Sequence, residues 1–231
     1  ILRKFEGPAF KETMDVTSML FAEIEKAKKA YSAEIPEGGP SELKAICIGV
    51  PATIDVSTGA TTIAALIQSL KGSEVKKVLS ETYHVPVFIE NITKLSALGE
   101  KRFGAGRYHQ DIVFFEVSTG IGAGLIIQNS LHRGFRGAAG EVGFSIIGTE
   151  NISYPLSNTG FFERFASVDS IAEKAFKRIT AGEPSILTEY VSDSENSLTA
   201  EAVCMAALCG DDLACSVIEE AVKMYTVLLQ N

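Results

Sequence analysis

No block of Lys and Arg runs through this 231-residue chain; its net charge is −8 and its pI about 5.0. An acidic chain with dispersed charge is a poor nucleic-acid binder by itself, because phosphate contact needs clustered cations. No apolar run is long enough to span a bilayer, and no signal peptide opens the sequence. That pattern predicts a cytoplasmic protein with no membrane partner. Cysteine is scarce: Cys47, Cys204, Cys209 and Cys215 make no C-x-x-C pair. They are expected as buried, reduced thiols. Internal repeats and low-complexity segments are missing as well. What is present is 46% hydrophobic residues, enough for a core and for one or two domains.

The most informative stretch covers residues 111–167. It opens with two apolar, strand-like runs joined by a glycine-rich bend at 119–124. Gly120, Gly122 and Gly124 alternate, which permits positive φ and close approach of a ligand. With Thr119, successive N–H groups of such a bend could cradle phosphate. No Gly-Lys-Ser/Thr follows, so the bend is not a P-loop. A strand follows where a dinucleotide fold needs a helix. A plain bulged β-bend fits the same residues.

Elsewhere the patterning predicts alternating helices and strands. Residues 1–10 read as an edge strand that already belongs to a domain, and Ile1 is not an initiator Met. The chain is therefore expected to be the middle of a longer protein. An amphipathic helix is expected at 14–31, with Val16, Leu20, Ile24, Ala27 and Tyr31 on one stripe. A Gly/Pro loop follows at 36–40. The continuous apolar runs at 45–50 and 86–90, with a helix at 73–82 between them, predict two buried parallel strands. Asp55, at a strand end, is either a functional carboxylate or a turn-former. A helix opens at Asn91, which suits an N-cap, with Ile92, Leu95 and Leu98 toward the core. Further helices are expected at 171–179, 199–208 and 212–230, with a polar loop at 192–197 and a break at Gly210. The last presents Ala214, Ile218, Ala221, Tyr225 and Leu228 on one face.

Several motifs in order resemble the ROK family, the sugar kinases and sugar-responsive repressors of the actin-like ATPase superfamily. Residues 118–124 are similar to its Gly-Thr-Gly-Ile-Gly-Ala-Gly. Ala139-Gly140-Glu141-Val142-Gly143 is similar to its Ala-Gly-Glu-x-Gly. Asn158, Gly160, Glu163, Ala166 and Ser167 match the remnant of its Cys-rich motif. Glu90-Asn91, followed by Ala97-Leu98-Gly99-Glu100, matches a fourth. The resemblance implies an α/β fold of actin-like (ribonuclease H-like) type, two-lobed, with mixed and parallel sheets flanked by helices and truncated at both ends. The lobes are expected at 1–107, lacking its first phosphate-loop strands, and at 108–231. The resemblance further implies sugar contacts from Asn91, Glu141 and Glu163, a phosphate loop at Thr119, Gly120, Gly122 and Gly124, and a homodimer.

The chain departs from the family where its chemistry is concentrated. The family's zinc ligands fall on Phe144, Tyr154, Leu156 and Phe161, none of which can bind zinc. A buried apolar cluster is expected in place of the metal. The catalytic aspartate, the general base for the sugar hydroxyl, falls on Ile92, and a second asparagine falls on Lys94. Isoleucine accepts no proton, and general-base catalysis is worth roughly 10²–10⁴-fold. No catalytic residue is therefore assigned, and the chain is read as leaning away from enzyme activity. The reading is a sugar-sensing effector domain of a ROK-type transcriptional regulator, with no cofactor and no zinc. ATP is expected only if the missing loops are present, and DNA contact only through an upstream segment absent from this chain. The alternatives are a glucokinase-like, ATP-dependent sugar kinase and a degenerate scaffold or dimerisation domain. Asn91 as a simple cap, and Glu141 and Glu163 as ordinary carboxylates, stay open beside the sugar-binding roles.

Overall fold

A computed structural model describes residues 16–34, 43–55, 58–63, 72–153, 159–191 and 198–230. The expected edge strand at 1–10, the loops at 36–40 and 192–197, and Tyr154, Leu156 and Asn158 lie outside the described residues. The fold is α/β. In chain order come α1 (Val16–Glu34), β1 (Ile46–Val50), β2 (Thr53–Ile54), β3 (Thr61–Ile63), α2 (Gly72–Tyr83), β4 (Val87–Asn91) and α3 (Ile92–Phe103). Then follow β5 (Ile112–Val117), β6 (Ile121–Ile127), β7 (Ser130–His132), α4 (Phe161–Ala166), α5 (Val168–Thr180), α6 (Ala200–Leu208) and α7 (Asp212–Gln230). Strands β5, β6 and β7 form one sheet in that order. Two units are separable: residues 1–112 with 124–139, and residues 113–123 with 140–231.

In the first unit, β1 and β4 pair in parallel, with Ile46 opposite Val87 and Val50 opposite Asn91. Their inner face packs on Val16, Leu20, Phe21 and Ile24 of α1 and on Val75 and Leu79 of α2. The apolar runs suggested strands buried on both faces. Instead Cys47 is exposed and Phe88 is 57% exposed, and both line a cavity with Leu95 and Leu98 of α3 rather than a packed layer. The α1 stripe likewise stops at Ile24; Ala27 and Tyr31 are exposed, and Phe21 packs inward. Strands β2 and β3 make a short antiparallel hairpin that the patterning did not announce. At its turn, Asp55 Oδ1 accepts the Thr58 N–H at 2.9 Å and the Thr58 hydroxyl at 3.0 Å, the turn-forming role.

Helix α3 begins where Asn91 Oδ1 accepts the Lys94 N–H at 3.1 Å. Lys94 and Ala97 take the buried side, and Ile92, expected in the core, is 48% exposed. A Cβ on Gly124 of β6 would collide with that of Ala97, so the glycine makes room for the helix. Strands β6 and β7 join through Gln128 and Asn129, both with positive φ, as a two-residue hairpin of the I′ kind requires.

The second unit is built on its helices. Phe162, Ile171, Ala175, Val203, Leu213 and Val217 are core residues, and Ile121 of β6 joins them. The α7 face forms as expected: Ala214 and Ala221 are buried, and Ile218, Tyr225 and Leu228 pack against them. Tyr225 donates its hydroxyl to the Ala166 carbonyl, tying α7 to the end of α4. Asp211 ties the start of α7 to residues 185–186. Its Oδ1 accepts the Ala214 N–H at 2.8 Å and the Ser185 hydroxyl at 3.1 Å, and its Oδ2 the Ile186 N–H at 2.8 Å. Burial alone would raise this carboxyl's pKa. The donors of Ala214, Ile186 and Ser185 outweigh it and hold the pKa below the ordinary value. The cysteines are free, but Cys47, Cys204 and Cys209 are exposed and only Cys215 is partly covered, which corrects the expected burial. Cys204 lies on α6 beside buried Val203, and Cys209 caps its C-terminal end.

Candidate functional site

The expected site residues are divided between the two units. In the first, Asn91 holds β4, α3 and the segment after β1 together. Its Oδ1 caps α3, and its Nδ2 donates to the Ala52 carbonyl at 3.2 Å. The neighbouring Glu90 carboxylate accepts the Asn91 N–H at 3.0 Å and the Arg133 Nε–H at 2.7 Å. Ile92, in the position of the family's base, offers a half-exposed hydrocarbon and no proton acceptor. A cavity of about 270 Å³ in this unit is lined by Cys47, Phe88, Leu95, Leu98, Glu90 and Arg133, among others. Asn91 and Ile92 are not among its lining residues, although the adjacent Glu90 is.

In the second unit, Glu163 is the organising side chain. It stands at the third position of α4. Its Oε2 accepts the Gly160 N–H at 2.8 Å, and its Oε1 accepts the Ile121 N–H at 3.1 Å. One carboxylate thus closes the start of α4 and fastens the glycine bend. Gly143 lies against both. A Cβ there would sit 2.8 Å from Glu163 Cγ and 2.6 Å from the Ile121 carbonyl oxygen, closer than real side chains come. The glycine of the Glu-x-Gly motif is therefore needed for close approach to Glu163. Glu141 precedes a 3₁₀ turn at Val142–Phe144, and its carbonyl accepts the Phe144 N–H at 3.3 Å.

Two features describe how the bend is built. Gly120, Gly122 and Gly124 are not among the positive-φ glycines; Gly122 and Gly124 lie within β6, where extended backbone suffices. At Gly120 and Gly124 the lack of a side chain matters: a Cβ would come within 3.1 Å of Glu163 Oε1 and 2.3 Å of the Ala97 Cβ. In addition, the Ser118 N–H bonds the Gly120 carbonyl at 2.8 Å and the Ala123 N–H the Gly140 carbonyl at 2.7 Å, while Ile121 serves Glu163. The amides of Ser118, Ile121 and Ala123 are thus committed to protein acceptors, and none of them belongs to Thr119, Gly120, Gly122 or Gly124. Thr119 is exposed at its tip.

The implied zinc does not fit the residues described at its position. Phe161 is buried and its ring lies 4.9 Å from that of Phe165; Phe144 is partly buried. Neither side chain carries a metal donor.

Sequence reasoning missed the two cations that work beside Asn91. Lys94 is 1% exposed and donates to the Gly137 carbonyl at 2.6 Å, and Arg133 pairs with Glu90 across 43 positions of sequence. Arg133 had no local signal.

No helix among the described residues is long and apolar enough to cross a membrane. The chain is 32% identical to the xylose repressor of Caldicellulosiruptor bescii over 210 residues, 89% of this chain and 50% of that protein. It resembles the crystal structure of a ROK family transcriptional regulator, a homologue of the E. coli MLC protein. The TM-score is 0.77 at 28% identity, covering 93% of this chain and 52% of that one. It also resembles a ROK family glucokinase from Streptomyces griseus in complex with glucose and AMPPNP, with a TM-score of 0.67 at 27% identity, covering 90% of this chain and 66% of that one. The chain spans about half the length of the xylose repressor it matches. The description "ROK family" applies over residues 10–230, so with these likenesses the chain belongs to the ROK family.

Proposed function

We propose that the chain is the sugar-sensing part of a ROK-type transcriptional regulator and no longer transfers phosphate. The observation that carries this reading is Ile92 at the head of α3, a half-exposed side chain with no proton acceptor where the family's base belongs. Phosphoryl transfer depends on positioning and charge compensation, so this loss is not marginal. The likeness to a xylose repressor and to a ROK regulator supports the same reading. Asn91, Glu141 and Glu163 are assigned to the sugar on the strength of their motifs, since amides and carboxylates accept several hydroxyl hydrogen bonds. Zinc and ATP have no role in this proposal. DNA contact is assigned to residues outside this chain, and the regulator is taken to act as a homodimer in the cytoplasm.

The test is calorimetry on the full-length protein with a panel that includes xylose and glucose. Wild type should bind one of them. A buried polar contact left unpaired costs roughly 1–3 kcal/mol. Glu141→Ala should therefore weaken binding by about 5- to 150-fold. Unchanged affinity in both Glu141→Ala and Glu163→Ala would move the sugar elsewhere. No binding at millimolar sugar would put a scaffold ahead of a sensor. The glucokinase likeness favours a second reading, an ATP-dependent sugar kinase, and a turnover assay separates the two.

A further inference from the structure

The sugar-sensing reading gives no role to the cavity of about 270 Å³ in the first unit. Every residue that lines it belongs to that unit. Its walls are mainly hydrocarbon: Ile54 of β2, Phe88 of β4, and Leu95 and Leu98 of α3. Cys47 of β1 adds a thiol. Partial burial pushes its pKa up and the nearby Glu90 charge adds to the shift, so the thiol stays neutral and behaves as a small apolar group. Three charged side chains share the lining: Glu90, Arg133 and Lys76. Glu90 is engaged on both oxygens, by the Asn91 N–H at 3.0 Å and by the Arg133 Nε–H at 2.7 Å. Arg133 has capacity left, because a guanidinium carries five N–H donors and Nε is the one that Glu90 takes. Lys76 is exposed and pairs with no carboxylate among the described residues. With Glu90 set against Arg133, Lys76 leaves the lining one positive charge in excess.

We infer that this cavity binds a small aromatic monocarboxylate, its ring against Phe88, Leu95 and Leu98 and its carboxylate on Lys76 and the remaining donors of Arg133. The charge matches, since a single anion neutralises the excess. The size matches as well. An apolar cavity of roughly 150 Å³ takes benzene, so about 270 Å³ leaves room for an acid arm. Phe88 offers the ring an aromatic partner. A sugar fits poorly, because its hydroxyls would meet hydrocarbon walls without hydrogen-bond partners. The inference stands apart from the sugar-sensing reading: Asn91, Glu141 and Glu163 are not among the lining residues.

The experiment titrates the full-length protein with three probes. Phenylacetate has both ring and charge, phenylacetamide keeps the ring alone, and acetate keeps the charge alone. Phenylacetate should bind, phenylacetamide about three- to tenfold more weakly, and acetate not measurably. Lys76→Met should narrow the gap between the two aromatic probes and leave phenylacetamide unchanged. Leu98→Trp, which fills the cavity, should abolish binding of both. Should that variant fail to fold, wild type carries the test. Phenylacetate should slow alkylation of Cys47 and leave the exposed Cys204 and Cys209 of the second unit unaffected, read peptide by peptide by mass spectrometry. No binding of phenylacetate, or binding without protection of Cys47, would overturn the inference. So would equal affinity for phenylacetate and phenylacetamide, or acetate bound as tightly as phenylacetate, which would mean an adventitious ion only.

Discussion

Glu163→Ala deletes the carboxylate that joins α4 to the glycine bend, and its cost can be worked from two bonds. Oε2 holds the Gly160 N–H at 2.8 Å and Oε1 the Ile121 N–H at 3.1 Å. A hydrogen bond to a charged group contributes about 1.5–3 kcal/mol. The side chain is only partly buried, so water can replace some of what is lost, and the lower end applies. Two bonds at that end give about 3 kcal/mol, and rehydration brings the expected loss to about 2–3 kcal/mol. For a protein of this size that is a fall of roughly 5–10 °C in melting temperature. Glu163→Gln keeps one acceptor but turns an amide N–H₂ toward the other backbone donor, so it should fall between wild type and Glu163→Ala. Urea unfolding followed by circular dichroism reads all three. A Glu163→Ala midpoint within about 0.5 kcal/mol of wild type, at unchanged slope, would refute the organising role.

Two further outcomes follow from single residues. Asp211→Asn should destabilise the second unit by about 1–3 kcal/mol near neutral pH, because the buried carboxylate accepts from Ala214, Ile186 and Ser185. The folded pKa lies below the unfolded one, so this stability is present above the unfolded value of about 3.9 and is lost as pH falls through the folded value. The gap between wild type and variant should accordingly narrow on acidification, and a gap that widens below pH ~4 would contradict the assignment. The protein should also show no sugar-dependent ATP consumption with hexoses, pentoses or N-acetylhexosamines; turnover in the ordinary range of ~1–10³ s⁻¹ would restore the kinase reading.

Regular elements were legible because their signals are local. Periodicity found α1, α2, α5, α6 and α7, and the apolar runs at 45–50 and 86–90 became a parallel pair. What the sequence hid is what depends on partners far along the chain. Phe88 reads as core in any apolar run, yet whether it is covered depends on which layer lies against that face. The short β2–β3 hairpin has two- and three-residue strands, too short for a period to show. The rotation of α3 was misread because apolar residues were counted, whereas its buried side is set by Gly124 against Ala97 and by the Gly137 carbonyl that takes Lys94, both far along the chain. At the candidate site, motif matches picked out Glu163, but not that it serves backbone amides of two glycine-rich segments.

That double service bears on why these glycines accompany the glutamate. Gly143 and Gly160 meet at a point where a Cβ on Gly160 would collide with the Gly143 carbonyl, and a Cβ on Gly143 would crowd Glu163 itself. Gly120 is next to the same carboxylate, with room for a Cβ only at 3.1 Å from Oε1. Backbone at 120–121, 143 and 160 therefore converges around one side chain, and Gly143 and Gly160 could not sit this close with a Cβ. The Ile121 amide, between Gly120 and Gly122, faces the carboxylate that the motif places at 163. Glu163 is held in one orientation from below by these amides. A carboxylate has about four lone-pair positions and two are used here, so acceptor capacity is left for a hydroxyl on the other side. Its structural role and its proposed sugar contact are compatible, and the first fixes the side chain for the second.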